Sequence, residues 1–413
     1  MTFDPELDAI CAYVQRAMTA HHLPGLAVAL VRDGDVVLAK GFGSQEYEEP
    51  NMPITSSTLF EIGSVSKVLI ALGIGVLVDR GLAHWNDRVQ LHLPWFTLLD
   101  KDVAARTTLA DLLSMHSVLA SQGDIAWTFG VFSTERAIVE GLAHLDTTSD
   151  QAGFVYSNAN YEVLGQVLQA VAHVPWFTFL RDAVWTPLGM RDTVGRIGDA
   201  TTDVARGHMT CHDHVLGPFD IATSPMTVLR PGDNCVAAGS ILSTAADMAK
   251  LTGFLLSDGA ALFASPAILT AIMTGCVENT RMTPTRTRVL GFAPSTVQAG
   301  YGFTTIGDSL AFGKDYVGKN GLTIGFTAEL GLVRSARAGV FVASNARTMG
   351  GSAADSSFLS RLHLRLLGWC FGVADDDLAK HDADAIEAAA AFPDTPGDAH
   401  YFARAPWGAG GTK

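Results

Sequence analysis

The chain has 413 residues, 48% of them hydrophobic and 17% charged, with 41 glycines, which describes a folded globular protein and excludes a disordered or coiled-coil one. Its length calls for two structural units or one large interrupted domain. A formal charge of −14, with no lysine- or arginine-rich run to offset it, opposes phosphate backbones and anionic lipid surfaces, so neither nucleic acid nor a membrane is an expected partner.

The first residues, MTFDPELDAICAYVQ, are acidic where a secretory signal is basic, and no apolar core follows, so the expectation is a cytoplasmic chain. Apolar residues at helical spacing predict a helix from about Pro5 to Ala20. LPGLAVALVRDGDVVLAKGFG then reads as two strands joined at Asp33-Gly34, a strong hairpin signal. SVSKVLIALGIGVLVDRG reads as a buried helix, with a serine able to cap it and Gly81 able to end it. Its apolar run, Val68 to Val78, is about half of the roughly 20 residues that span a bilayer.

From about Leu82 to Asp233, helix-like segments such as TLADLLSM, STERAIVEGLAHL and NYEVLGQVLQAVAHV alternate with polar loops, so residues 82–233 are expected to be a helical subdomain. In GSILSTAADMAKLTGFLL, Ser243 or Thr244 can cap a further helix, and strands are expected near 300–305, 309–313, 323–333 and 339–343. The N-terminal strands need partners, and the C-terminal third supplies them. An α+β domain, one antiparallel sheet flanked by helices, is therefore expected from residues 1–81 with 234–371, the helical region being an insertion. Residues 372–413 begin acidic, continue Ala-rich and helix-like, and end Pro/Gly-rich, as an extension.

Three short elements carry possible chemistry. Ser64-Val65-Ser66-Lys67 is the only Ser-x-x-Lys in the chain. On a helix, positions i and i+3 share a face, so the Lys67 amine can reach the Ser64 hydroxyl and help remove its proton; an ordinary capped helix with a surface lysine has the same sequence. In Tyr156-Ser157-Asn158 a phenol and an amide two residues apart can enter one cleft, although a loop tyrosine also serves as plain packing. Lys319-Asn320-Gly321 precedes strand-like residues: a lysine on a strand edge can hold positive charge near a nucleophile, and the glycine lets substrate lie along the backbone. A simple hairpin turn is the other reading of that segment.

With LPGLAVALVRDG, TLFEIGSVSK, VWTPLGMRDT and AAGSILSTAADMAKL, these elements make roughly residues 8 to 370 resemble the serine β-lactamase-like hydrolases: class C β-lactamases, penicillin-binding-protein homologues, D-amino-acid peptidases and family VIII carboxylesterases. The resemblance implies the β-lactamase/transpeptidase-like fold and an acyl-enzyme mechanism that needs no metal or organic cofactor. It implies Ser64 as the acylated nucleophile, Lys67 and Tyr156 as the general-base pair, Asn158 as a polar positioner, and Lys319, Asn320 and Gly321 at the substrate. The backbone N–H groups of Ser64 and Leu322 are implied as the oxyanion hole. The substrate is expected to be a small ester, amide or lactam. Asn320 departs from the Thr usual in the third element, which shifts the expectation from a β-lactam toward an ester. An acyltransferase or D-amino-acid peptidase on the same scaffold is the alternative, and the residues do not give the oligomeric state.

Two rivals come from other classes, besides a non-catalytic binding homologue. Gly313 to Asn320 nearly matches a phosphate loop but has Asn320 where Ser or Thr must stand, and no helix pattern follows. His208, Cys211, His212 and His214 form the densest set of metal-ligand types, yet Val215-Leu216 stand where a zinc pattern needs Asp-His, so a polar loop is expected. Five scattered cysteines, Cys11, Cys211, Cys235, Cys276 and Cys370, with no C-x-x-C pair, argue against a disulfide framework.

Overall fold

In the computed structural model the residues described are 5–116, 119, 132, 134–145, 147, 153–211, 214–219, 236–350 and 352–392. Helix α1 (Pro5–Ala20) leads into the hairpin of β1 (Gly25–Arg32) and β2 (Asp35–Gly43). Its turn residues Asp33 and Gly34 both have positive φ, 54° and 89°, the sense that matches strand twist in a two-residue hairpin. Strand β3 (Phe60–Glu61) and a 3₁₀ turn at Gly63–Val65 precede α2 (Ser66–Asp79).

A helical stretch follows: α3 (Val89–His92), α4 (Lys101–Arg106), α5 (Leu109–Leu113), α6 (Glu135–Gly141), α7 (Ala159–Ala172) and α8 (Trp176–Leu180). Within the segment expected to be helical, two antiparallel strands instead pair, β4 (Gly207–Cys211) and β5 (His214–Phe219). The remaining elements are β6 (Leu242–Ser243), α9 (Ala245–Leu255), α10 (Pro266–Ile272), β7 (Val277–Glu278), α11 (Pro284–Val289), β8 (Gln298–Ala299), β9 (Thr305–Ala311), β10 (Lys314–Leu322), β11 (Thr327–Val333), β12 (Ala338–Ser344), β13 (Ala346–Gly350), α12 (Ala353–Ser356), α13 (Phe358–Cys370) and α14 (Asp375–Ala389). Strand β4 pairs in parallel with β13, a partner more than a hundred residues away, so no local pattern announces it.

The main sheet is antiparallel, in the order β2-β1-β12-β11-β10-β9-β8-β7, and so joins the N-terminal hairpin to the C-terminal strands. Both faces are covered. Ala27, Ala29 and Val31 of β1 face a core shared with α2 and α9, while Leu26, Val28 and Leu30 face a second core with α1 and α13. Burial on both sides explains why β1 and β12 are almost continuously apolar rather than alternating. Helix α2 is buried from Ser66 to Leu77, which is why it is apolar all round.

Two local expectations change. No side chain caps α2: Ser64 lies in the 3₁₀ turn before it. The strand expected at 300–305 begins only at Thr305, and residues 314–322 are a strand. The acidic extension docks as α14, with Leu378, Ala385 and Ala389 buried and Asp382 accepting from Arg361 Nε of α13 at 2.9 Å; the expected Pro/Gly-rich end lies outside the described residues. Thr244 is the cap of α9, accepting from the Asp247 N–H. No single helix among the described residues is long and apolar enough to cross a membrane.

Candidate active site

Ser64 sits where two backbones nearly touch. Gly63 has φ of 51°, and a Cβ on it would lie 2.7 Å from Leu322 N; a Cβ on Gly321 would lie 2.0 Å from the Ile62 carbonyl oxygen and 3.0 Å from Ser64 N. Only glycine at both positions lets the 3₁₀ turn rest against the end of β10. The Ser64 N–H belongs to a first helical turn, where N–H groups have no intrahelical acceptor. Across from it, the Thr323 N–H bonds to the Phe326 carbonyl, and antiparallel alternation therefore turns the Leu322 N–H away from β11 and toward that 3₁₀ turn.

The side chains converge on the Ser64 hydroxyl. Lys67, fully buried on the first turn of α2, donates from Nζ to Ser64 Oγ at 2.9 Å, to Asn158 Oδ1 at 2.7 Å and to the Ala238 carbonyl at 2.6 Å. From the other lobe the Tyr156 phenol donates to Ser64 Oγ at 2.7 Å. Asn158 is the N-cap residue of α7, two positions after Tyr156 in the segment that leads into that helix. Lys319, buried inside β10 rather than on a strand edge, reaches Tyr156 Oη at 3.5 Å and Thr304 Oγ1 at 3.2 Å.

Charge follows from this geometry. Burial pushes the Tyr156 phenol up, but the two ammonium groups of Lys319 and Lys67 and the bond to Ser64 outweigh it and bring the phenol down to about 7. Burial lowers Lys319, with Lys67 adding to the effect and Tyr156 opposing it. A hydroxyl held between an amine and a phenol that ionises near neutrality is set up to lose its proton and act as a nucleophile.

The structure thus gathers Ser64, Lys67, Tyr156, Asn158, Lys319, Gly321 and the Leu322 amide around one point. Asn320 is set apart: by strand alternation its side chain leaves the face that carries Lys319, and it is exposed opposite Glu329 of β11. It still borders a groove of about 340 Å³ that also touches Tyr156, Lys319, Phe154 and Leu322. Glu329 lines that groove and accepts from Ser360 Oγ at 2.6 Å; burial raises its carboxyl to about 7 against the pull of Ser360 and Lys319.

Sequence reasoning missed Thr304, Glu329, Ala238 and two buried carboxyls, Glu135 and Glu162. The one local signal was Glu162 itself, an acid inside the apolar run of NYEVLGQVLQAV. The phosphate-loop rival fails on geometry. Gly313 ends a β turn and Lys314–Asn320 is strand, so no helix N-terminus is there to cradle phosphate. His208 and Cys211 stand on β4 and His214 on β5, not on a polar loop, while His212 lies outside the described residues. Both ring nitrogens of His208 are engaged, Nδ1 with the Asn345 carbonyl at 3.0 Å and Nε2 with the Tyr47 N–H at 3.2 Å. Among the described residues no three His, Cys, Asp or Glu side chains are grouped to hold a metal.

The chain is similar to several known proteins. Penicillin-binding protein 4 of Amycolatopsis lactamdurans is 30% identical over 276 residues, 63% of this chain and 68% of the relative. Protein flp of Staphylococcus aureus is 28% identical over 187 residues, and the chain spans only 36% of its length. Among solved structures, EstCE1, a hydrolase with promiscuous acyltransferase activity, superposes with a TM-score of 0.72 at 21% identity, covering 89% of this chain and 98% of that one. The D-amino acid amidase of Ochrobactrum anthropi SV3 gives 0.67 at 22% identity, covering 92% and 99%. These structures share the β-lactamase/transpeptidase-like fold, and the beta-lactamase family profile matches residues 10–364; the chain belongs to the beta-lactamase family.

Proposed function

We propose that the protein is a serine acyl hydrolase in which Ser64 is acylated by an ester, amide or lactam. The observation that carries this is the placement of Ser64 Oγ, 2.9 Å from Lys67 Nζ and 2.7 Å from Tyr156 Oη. Ionised Tyr156, flanked by Lys67 and Lys319, takes the Ser64 proton as Oγ attacks the carbonyl carbon, and returns it to the leaving oxygen or nitrogen. Lys67, donating to Oγ and to Asn158, keeps both in register and helps hold the phenol ionised. The N–H groups of Ser64 and Leu322 stabilise the tetrahedral oxyanion, a contribution of about 10²–10³ in rate per donor. Water then attacks the acyl carbon and releases the acid.

Esters are the favoured substrates. Asn320 replaces the threonine usual beside the lysine, and its side chain leaves the Lys319 face, so the hydroxyl that meets a β-lactam carboxylate is missing. EstCE1 is a hydrolase with promiscuous acyltransferase activity, which makes an alcohol acceptor in place of water the second reading. Purified protein assayed side by side on p-nitrophenyl butyrate, nitrocefin and D-amino-acid amides tests the proposal: the ester is turned over fastest and the Ser64→Ala variant is inert on all three. Turnover by Ser64→Ala at the wild-type rate refutes the nucleophile assignment, and nitrocefin as the best substrate refutes the ester preference.

A further inference from the structure

Two carboxyl groups meet inside the protein beside the segment that holds Lys67. Glu162 projects from α7 and Glu135 from α6. Glu162 Oε1 accepts the Ala238 N–H at 3.0 Å, and Glu135 Oε1 accepts the Ala237 N–H at 2.9 Å. The Trp176 indole N–H reaches both Glu135 oxygens, at 2.9 and 2.8 Å. Ala238 is also the residue whose carbonyl receives Lys67 Nζ at 2.6 Å.

Glu162 Oε2 is buried and receives no N–H or O–H from any described residue; the group beside it is the Glu135 carboxyl. Buried polar atoms are almost always satisfied, and two bare carboxylates in contact in an apolar interior repel strongly. One proton held between the carboxyls removes both difficulties. The ionisable groups are consistent with it: burial raises both acids, each member of the pair acts on the other, and Lys67 of α2 is a further charge that bears on Glu162.

We propose that Glu135 and Glu162 form a positioning pair that shares one proton, carries one negative charge, and pins the Ala237–Ala238 segment so that the Ala238 carbonyl holds Lys67 against Ser64. The pair touches no substrate and acts through the backbone of residues 237–238 and through the field at Lys67. This rests on the reading of Ser64 and Lys67 given above. Loss of the shared proton adds a second negative charge near Lys67, which offsets the pull of that ammonium on the Tyr156 phenol and delays its ionisation to higher pH. Glu162→Gln fixes the pair at one charge while an amide N–H replaces the shared proton.

Two measurements on the full chain test this. The first is the infrared difference between wild type and Glu162→Gln at about pH 6, which cancels the Glu329 carboxyl common to both and shows the C=O stretch of a buried, hydrogen-bonded carboxylic acid lost in the variant. The absence of that band, or its persistence in Glu162→Gln, overturns the shared proton. The second is the pH profile of covalent labelling of Ser64 by an ester. In Glu162→Gln the plateau stays within about threefold of wild type while the midpoint moves toward acid by about half a unit or more; Glu162→Ala, which leaves the Ala238 N–H unpaired, loses about tenfold or more at every pH. Superimposable profiles for wild type and Glu162→Gln, or equal losses in Glu162→Gln and Glu162→Ala, overturn the positioning role. Failure of the wild type to label overturns instead the reading of Ser64, and the infrared result still decides the carboxyl pair.

Discussion

Replacing Lys67 by methionine separates its structural part from its chemical part. The side chain is fully buried and donates to two protein acceptors besides Ser64, Asn158 Oδ1 and the Ala238 carbonyl. Depriving buried acceptors of a donor costs about 1–3 kcal/mol each, so about 2–6 kcal/mol for the two. Against this, methionine of similar volume relieves the several kcal/mol spent on taking an ammonium out of water. The terms oppose, and the net change in stability is expected within about 3 kcal/mol, small enough for the protein to remain folded. The chemical loss has no such offset: without the amine the Ser64 hydroxyl loses one of its two partners and Tyr156 loses one of its two flanking cations, so acylation falls by about 10²–10⁴. Denaturant unfolding measures the first quantity and the single-turnover burst of p-nitrophenolate the second. A folded Lys67→Met protein that acylates within about tenfold of wild type refutes the reasoning.

Tyr156 gives a pH prediction with a definite sign. Because its phenol is brought down to about 7, the phenolate dominates above neutrality rather than above 10, so the acylation rate rises as pH passes through 7; in Tyr156→Phe that rise disappears and the plateau drops by about 10²–10⁴, as stopped-flow measurements from mildly acidic to alkaline buffer will show. Gly321→Ala puts a Cβ 2.0 Å from the Ile62 carbonyl oxygen and so forces the 3₁₀ turn away from β10, and labelling of Ser64 is expected to fall by about 10² or more, read by mass spectrometry against time. Asp382→Ala leaves Arg361, whose side chain is 4% exposed, without its carboxylate; a loss of about 1–3 kcal/mol and faster amide exchange across α14 are expected in denaturant and hydrogen-exchange experiments.

The parts of the fold that were legible in the sequence are those decided by near neighbours. The α1 periodicity, the Asp33-Gly34 turn and the apolar run of α2 each fix their element within a few residues of chain. What local pattern missed depends on distant partners: β4 and β5 become strands because β13 supplies an edge, and residues 314–322 become a strand because β9 and β11 flank them. The candidate site divides the same way. Ser64 and Lys67 were readable because a spacing of three brings them together, whereas Tyr156 and Lys319 needed the family resemblance to be joined to them. Glu135 and Glu162 lie 27 positions apart and meet only through packing of α6 on α7, so no motif could have paired them.

The central claim is that a covalent bond forms at Ser64. Intact-mass spectrometry after exposure to p-nitrophenyl butyrate puts it to the test most directly: the wild type gains one butyryl group and Ser64→Ala gains none. A butyryl adduct of equal yield on the alanine variant contradicts it.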